Sequence, residues 1–307
     1  LHLSIRRQRQ MCIRDRSVPV LYSYTAMIPS ILPSTGPIGV FDSGYGGLTI
    51  LDKIRGLMPE YDYIYLGDSA RCPYGPRSFE VVYEFTLQAV SKLFELGCPL
   101  VILACNTASA KALRTIQQIN LPVIDATRRV LGVIRPTAEC IGEITRSRHV
   151  GILATAGTIK SESYLLEIHK LSPDIVVTGE ACPMWVSLVE NNEYQSEGAD
   201  YFVKQHINRL LDKDPMIDTI ILGCTHYPLL LDKIRQFTPG HIRIIAQGEY
   251  VARSLQDYLN RHPEMDARCE KGGKCRFLTT ESENKFEESA SIFLGRQDIK
   301  VESIALE

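Results

Sequence analysis

The sequence lacks several features that would place the protein in a specialised class. No apolar run in its 307 residues reaches the ~18 residues of a membrane-spanning helix, so we expect no membrane association. Lys and Arg total 34 and Asp and Glu total 36, and this absence of a basic excess argues against a nucleic-acid partner. The nine cysteines include no Cys-x-x-Cys pair and suggest no disulfide framework. We therefore expect no metal site and a reducing, cytoplasmic location.

The first residues differ in composition from the rest. Residues 1–26 contain five arginines and a single acid, Asp15, and the apolar stretch that follows is interrupted by Pro19 and Pro29. A signal peptide would need a continuous apolar core there, and nothing else in the sequence supports a basic nucleic-acid-binding arm. We expect residues 1–36 to be a non-native or disordered head, with translation starting at Met27.

Short apolar segments alternate with helical patterns in the remainder. The segments rich in Ile, Val and Leu that end in small or polar residues are 38–41, 61–66, 100–103, 150–153, 217–222 and 242–245. Apolar residues recur with a helical period in 79–96, 108–119 and 229–237. This alternation predicts an α/β fold with mainly parallel sheets flanked by helices. In such folds ligands bind beyond the carboxyl ends of the strands, where the polar clusters of this sequence lie.

Two of these strand ends carry a cysteine in matching surroundings. Cys105 follows Leu-Val-Ile-Leu-Ala and precedes Asn-Thr, and Cys224 follows Thr-Ile-Ile-Leu-Gly and precedes Thr-His. An isolated cysteine is usually a small core residue, but the matched flanks favour a chemical role for this pair. Two thiols facing one carbon can remove a proton from one side and return a proton to the other. The pair therefore predicts stereochemical inversion without a cofactor.

A helix is predicted after each cysteine. We expect Thr107 or Ser109 to cap the first helix and Pro228 to lie in the first turn of the second. The partial positive charge at a helix N-terminus should then lower the pKa of Cys105 and of Cys224.

Other strand ends supply polar groups of complementary kinds. Asp42 and Ser43 open a glycine-rich turn that lacks the dinucleotide-binding spacing and could hold an ammonium group or tune a thiol. Hydroxyls and amides for a carboxylate are expected from Asp68, Ser69, Tyr74, Gly75, Asn106, Thr107 and Thr225. His226 lies two residues after a candidate thiol, which favours an acid–base or ion-pairing role.

Four motifs together resemble glutamate racemases of the aspartate/glutamate racemase family. They are Asp42-Ser43-Gly44-Tyr45-Gly46-Gly47, Gly67-Asp68 with Pro73-Tyr74-Gly75, Ala104-Cys105-Asn106-Thr107-Ala108-Ser109, and Gly223-Cys224-Thr225-His226-Tyr227-Pro228. The resemblance implies a cofactor-independent enzyme that interconverts L-glutamate and D-glutamate. D-glutamate is a building block of bacterial peptidoglycan. It further implies that Cys224 deprotonates L-glutamate and that Cys105 deprotonates D-glutamate.

The resemblance also assigns the supporting residues. Asp42 and His226 would assist the thiols, and Glu190 would act beside His226. Thr155 and Thr158 match a segment that lies near the substrate in the family. The full set of implied substrate contacts is Asp42, Ser43, Asp68, Ser69, Tyr74, Gly75, Asn106, Thr107, Thr155, Thr158, Thr225 and His226.

Two similar α/β domains with the active site at their interface are implied as well. The expected first domain comprises residues 37–134 and 246–307, and the second comprises 135–245. A homodimer is expected, whereas the role of the loop between Cys269 and Cys275 stays open.

Three competing functions are consistent with parts of this pattern. The nearest alternative is a related racemase acting on aspartate or another acidic amino acid, although the Cys-Thr-His-Tyr-Pro string favours glutamate. A cysteine hydrolase could use one thiol with His226 as base, but it would leave the second cysteine unexplained. A non-catalytic amino-acid-binding protein would have no need of both Cys105 and Cys224.

Overall fold

The computed structural model describes residues 35–295 and 299–306, so that residues 1–34 of the predicted head lie outside the described part. Within these described residues, ten strands form two sheets in which every strand pair is parallel. The strands are β1 Ile38–Asp42, β2 Tyr63–Gly67, β3 Leu100–Leu103, β4 Arg129–Gly132, β5 His149–Ala154, β6 Val176–Ala181, β7 Thr219–Gly223, β8 Arg243–Ala246, β9 Cys275–Thr279 and β10 Val301–Ser303. The six-stranded sheet has the order β10-β9-β2-β1-β3-β4, and the four-stranded sheet has the order β6-β5-β7-β8.

Helices connect most of the strands, and this confirms the predicted α/β class. The α-helices are α1 Leu48–Leu57, α2 Phe79–Glu95, α3 Asn106–Lys111, α4 Leu113–Thr115, α5 Leu121–Ile124, α6 Ile134–Ile144, α7 Ala156–Lys160, α8 Ser163–Leu171, α9 Trp185–Glu190, α10 Glu197–Lys213, α11 Leu231–Phe237, α12 Gly248–Arg261, α13 Pro263–Asp266 and α14 Glu283–Leu294. Short 3-10 helices span Ser69–Arg71 and Tyr227–Leu230, and a π-helical turn spans Ile116–Asn120. None of the described helices is both long and apolar enough to cross a membrane.

Strand β1, in the interior of the six-stranded sheet, is buried on both faces of that sheet. Side chains alternate along β1, so that Val40 packs with α1 and α12 on one face and Phe41 packs with α2 on the other. All five residues of β1 are buried. Burial on both faces explains why the strand is a continuous apolar run rather than an alternating one.

The chain passes between the two sheets twice. The first crossover follows β4, where Val133 leads into α6, and the second follows β8, where Gln247 leads into α12. The side-chain amide of Gln247 donates a hydrogen bond to the Val133 carbonyl at 3.0 Å. Both residues are buried, so this contact joins the two crossovers inside the protein.

Candidate active site

The carboxyl ends of strands from both sheets meet at one place. Asp42 ends β1, Cys105 comes two residues after β3, and Cys224 follows β7 directly. The Thr225 hydroxyl donates a hydrogen bond to Asp42 Oδ1 at 3.3 Å, which links the ends of β7 and β1. All four side chains are buried. The matched cysteines predicted from the sequence therefore belong to one polar cluster between the sheets.

Cys105 lies among hydroxyl and acidic groups. Its thiol donates to the Ser43 hydroxyl at 3.4 Å, and the backbone N–H of Ala108 donates to its sulfur at 3.4 Å. Burial raises the pKa of Cys105 to about 12, and the negative charges of Asp42 and Cys224 add to this effect. In this environment Cys105 is held as a protonated thiol.

This environment corrects two sequence-based predictions. Cys105 itself caps α3, whereas Thr107 and Ser109 lie inside the helix and do not cap it. The pKa of Cys105 is raised rather than lowered, because burial and the nearby charges outweigh the single backbone N–H at the sulfur. Pro228 does lie in the first turn after the second cysteine, but that turn is a 3-10 helix beginning at Tyr227.

Cys224 lies beside an ion pair between His226, which is buried, and Glu190, which is partly buried. Its sulfur is 3.9 Å from His226 Nδ1, and His226 Nε2 is 3.0 Å from Glu190 Oε1. Burial disfavours the imidazolium, but the Cys224 and Glu190 charges outweigh that effect and raise the pKa of His226 to about 10. Burial also works against the Glu190 carboxylate, yet its hydrogen bond to His226 lowers its pKa. His226 is therefore a cation at neutral pH, placed between a thiol and a carboxylate.

Asp42 interacts electrostatically with Cys105 and with His226, the residue beside Cys224. Burial raises the pKa of its carboxyl group, and the nearby positive charge of His226 partly offsets this. Its Oδ2 accepts the backbone N–H of Gly44 at 3.1 Å. The carboxyl group is therefore fixed in the glycine-rich turn after β1, between Ser43 and Thr225.

The turn after β1 approaches the second cysteine very closely. A methyl group added at Gly46 would overlap the Thr225 hydroxyl and the His226 ring. Glycine is required here because of this contact between the turn and the end of β7, rather than because of an unusual backbone angle.

A cluster of threonines spans the two halves of the protein. The Thr107 hydroxyl lies 3.0 Å from that of Thr155 and 3.4 Å from that of Thr158, and the latter two are 3.1 Å apart. Thr155 caps α7 through the backbone N–H of Thr158. The backbone N–H of Gly157 donates to the Gly75 carbonyl at 3.0 Å, which adds a second link between the two halves.

Asn106 offers a donor that the described part of the protein leaves without a hydrogen-bond partner. Its side chain is 2% exposed, and its Oδ1 accepts the Tyr164 hydroxyl at 2.7 Å. No described group accepts from its buried Nδ2. Buried donors are normally satisfied, so this nitrogen is suited to bind an acceptor group of a ligand.

Two predicted site residues in the loop after β2, Asp68 and Ser69, differ in their hydrogen bonding. The Asp68 carboxylate is fully buried and accepts hydrogen bonds from Tyr74, from Arg71 Nε at 2.7 Å and from Thr280 at 2.8 Å. Its oxygens are thus occupied by donors of the protein, which suits a role in ordering the loop. The Ser69 hydroxyl is buried and has no partner among the described residues.

Cys72 is a site residue that sequence reasoning missed. Its thiol donates to Glu190 Oε1 at 3.0 Å, the same oxygen that faces His226. The only local indication was its position directly before the Pro73-Tyr74-Gly75 motif.

Within residues 35–295 and 299–306, no three His, Cys, Asp or Glu side chains form a metal-binding group.

Comparisons with known proteins identify the family of this chain. The sequence matches the family described as Asp/Glu/Hydantoin racemase over residues 49–255. It is 39% identical over 271 residues to the glutamate racemase of Bacillus cereus, covering 88% of this chain and 97% of the relative. It is 38% identical over 270 residues to the glutamate racemase of Ruegeria, covering 85% of this chain and 97% of the relative.

Solved structures give the same result. The glutamate racemase isoform RacE1 of Bacillus anthracis matches with a TM-score of 0.80 and 36% identity, covering 88% of this chain and 98% of that chain. The glutamate racemase of Francisella tularensis in complex with D-glutamate matches with a TM-score of 0.78 and 31% identity, over 89% and 99% of the two chains. The resemblance predicted from the four motifs is confirmed, and the chain belongs to the Asp/Glu/Hydantoin racemase family.

Proposed function

We propose that this protein racemises glutamate with two thiols and without a cofactor. The observation that carries the proposal is the pair Cys105 and Cys224, which come from matching strands of two sheets and have chemically opposite surroundings. One thiol has hydroxyl and acidic neighbours and the other has a histidine cation. An enzyme that takes a proton on one face and gives one on the other needs this kind of asymmetry.

In the L to D direction the proposed proton transfers balance without an added reagent. The Cys224 thiolate, stabilised by the His226 imidazolium, takes the α-proton of L-glutamate. The Cys105 thiol then donates its proton to the opposite face of the same carbon. The product is D-glutamate, with Cys224 left protonated and Cys105 left as thiolate. Exchange with water restores the starting protonation, and the D to L direction begins from the opposite state.

Neighbouring groups support each thiol. In the L to D direction Glu190 maintains the charge on His226, because the carboxylate favours the imidazolium. In the D to L direction Cys105 must lose its proton although Asp42 lies near it. A substrate ammonium group bound beside Asp42 would offset that negative charge and favour the Cys105 thiolate.

The substrate is held, in this proposal, by donors that surround the thiols. Asn106 Nδ2 is the unpartnered buried donor, and Thr107 and Thr225 add hydroxyls from the two sides of the cleft. Ser43, Tyr74, Gly75, Thr155 and Thr158 complete the proposed contacts, and Asp68 and Ser69 order or supplement them. Fixed donors in a site shielded from water stabilise the developing carbanion far better than bulk water does.

Closure of the two halves would complete this shielding. We propose that residues 37–134 with 246–307 and residues 135–245 act as two domains that close over glutamate. The proposed role is to supply D-glutamate for peptidoglycan in the bacterial cytoplasm, with the protein acting as a homodimer.

Proton NMR of L-glutamate with the purified protein in deuterium oxide tests the reaction directly. We expect the α-proton resonance to disappear while the circular dichroism of the amino acid decays to zero. Parallel samples with aspartate test the choice of substrate, and we expect turnover at least tenfold slower than with glutamate. An unchanged α-proton with folded protein would rule out the reaction, and faster exchange with aspartate would reassign the substrate.

A further inference from the structure

A buried chain of hydrogen bonds runs from a crossover to the candidate active site. Gln247 Nε2 is 3.0 Å from the Val133 carbonyl oxygen and 2.6 Å from the Tyr164 hydroxyl oxygen. The Tyr164 hydroxyl is in turn 2.7 Å from Asn106 Oδ1. The side chains of Gln247, Tyr164 and Asn106 are 3% exposed or less. None of the motifs in the sequence analysis includes Tyr164 or Gln247.

The chemistry of these groups fixes the direction of every hydrogen bond. The backbone carbonyl of Val133 can only accept, so the Gln247 atom that faces it must be the NH2 group. An amide nitrogen cannot accept a hydrogen bond, so the hydroxyl oxygens of Tyr164, at 2.6 Å, and of Thr137, at 3.2 Å, both face Nε2 as acceptors. The single hydroxyl hydrogen of Tyr164 is then free to point only toward Asn106.

This order determines which end of the Asn106 amide is available to a ligand. Because Tyr164 donates, its neighbour must be the Asn106 oxygen, and the Asn106 NH2 group is left over. That NH2 group is the buried donor without a partner in the described part of the chain, one residue from Cys105. A reversed amide would present an oxygen, which repels a carboxylate.

We propose that Tyr164 and Gln247 are positioning residues that keep the Asn106 NH2 group turned toward a substrate carboxylate. The proposal rests on the proposed function in that the ligand is an amino acid with a carboxylate. Tyr164 packs with the four-stranded sheet, whereas Asn106 follows β3 of the six-stranded sheet. The donor is therefore oriented only when the two halves of the protein are held in this arrangement.

Steady-state kinetics of Tyr164→Phe and Gln247→Met test the proposal. Removing the hydroxyl or the NH2 donor frees the Asn106 amide to rotate, and we expect the KM for glutamate to rise about tenfold with kcat changed less than about threefold. Thr137→Val is the matched control, because the Thr137 hydroxyl also contacts Gln247 Nε2, at 3.2 Å, but lies outside the chain to Asn106. Its KM should stay within about twofold of the wild-type value.

A double-mutant cycle separates positioning from general support of the fold. If Tyr164 acts through Asn106, adding Tyr164→Phe to Asn106→Ala should change KM no further. The affinity for glutamate by calorimetry should follow the same pattern, and it can be measured without turnover. Independent, multiplying effects of the two substitutions would overturn the positioning role.

The outcomes also separate this proposal from the proposed function. Wild-type turnover with multiplying variant effects overturns only the role of Tyr164 and Gln247. A folded wild-type protein that neither binds nor turns over glutamate overturns both proposals. Binding without turnover, combined with a cycle in which Tyr164→Phe has no added effect, overturns the racemase proposal and supports the positioning role.

Discussion

The two candidate thiols occupy matching positions in the fold but differ in their surroundings. Cys105 and Cys224 each lie just beyond the carboxyl end of a buried parallel strand, β3 for Cys105 and β7 for Cys224. Beyond the strand the likeness stops. Cys105 caps an α-helix and donates to the Ser43 hydroxyl, whereas Cys224 precedes a 3-10 helix and lies near His226.

This difference shows that equivalent strand ends can hold two cysteines in environments that favour different protonation states. The repeat places a cysteine one or two residues beyond the carboxyl end of a buried strand in each sheet, and the residues that follow set its charge environment. Near Cys105 the main charge is negative, from Asp42, while near Cys224 it is positive, from His226. Each thiol is thus suited to begin with a different protonation state.

The largest effect on activity is expected from removing one thiol at a time. We expect Cys105→Ala and Cys224→Ala each to lower racemisation by at least about a thousandfold while leaving the fold intact, because each removes one of the two proton-transfer groups. Polarimetry gives the rate and circular dichroism reports the fold. Cys140→Ser is the control, because Cys140 lies on α6 and donates to backbone carbonyls of its own helix. Near-normal activity in either alanine variant would exclude the two-thiol mechanism.

A smaller change can disturb the Cys224 side alone. Gly46→Ala would push a methyl group into Thr225 and the His226 ring, and a displacement of about 1 Å at such a site costs about a hundredfold in rate. Gly56→Ala is the matched control in α1, because a methyl group there meets nothing within 4 Å. Equal activity of the two variants would show that the position of His226 is unimportant.

Loss of the Glu190 charge should weaken the positive charge beside Cys224 and so make the two sides more alike. In Glu190→Gln the imidazolium loses its carboxylate partner, so the pKa of His226 should fall and activity should drop about tenfold. The upper limb of the pH–rate profile should move to lower pH, since His226 would lose its charge earlier. Glu193→Gln, at an exposed position, should behave like the wild type. An unshifted profile in Glu190→Gln would contradict the ion-pair role.

The smallest expected effect is on stability. The pKa of His226 is about 10 in the folded protein and about 6.5 in an unfolded chain, so the folded state holds one more proton between these values. Its contribution is complete below pH 6.5 and is lost as pH rises toward 10. Between pH 6.5 and 8 we expect the wild type to lose up to ~2 kcal/mol more of its unfolding free energy than His226→Asn. Denaturant unfolding measures this, and parallel pH curves would refute it.

Three strands of each sheet and much of the site could be predicted from local sequence. Strands β1, β3 and β7 are buried along their whole length, and their apolar runs predict them directly. Strand β6 was missed because it lies at a sheet edge, where Val176 is 46% exposed and no apolar run is needed. The edge strands β4 and β10 were missed in the same way. Strand β9 was missed although it is an interior strand, because it begins with the partly exposed Cys275 and the exposed Arg276.

The features of the site that were missed or predicted wrongly have a different cause. Cys105, Cys224 and His226 could be identified because each lies within a few residues of a predicted strand end. Cys72 contacts Glu190 from 118 positions away, a pairing that only the tertiary structure creates. The pKa of Cys105 was predicted wrongly because the sequence indicates a helix start but not the depth of burial.

The strand order of the six-stranded sheet has a consequence for synthesis on the ribosome. Strand β2 pairs on one side with β1 and on the other with β9, which comes more than two hundred residues later in the sequence. The whole four-stranded sheet, built from residues 149–246, emerges between them and can pair completely before β9 exists. Until then the side of β2 that will pair with β9 is an open edge that other chains can pair with. A pause in translation before residue 275 should therefore increase aggregation of the nascent chain.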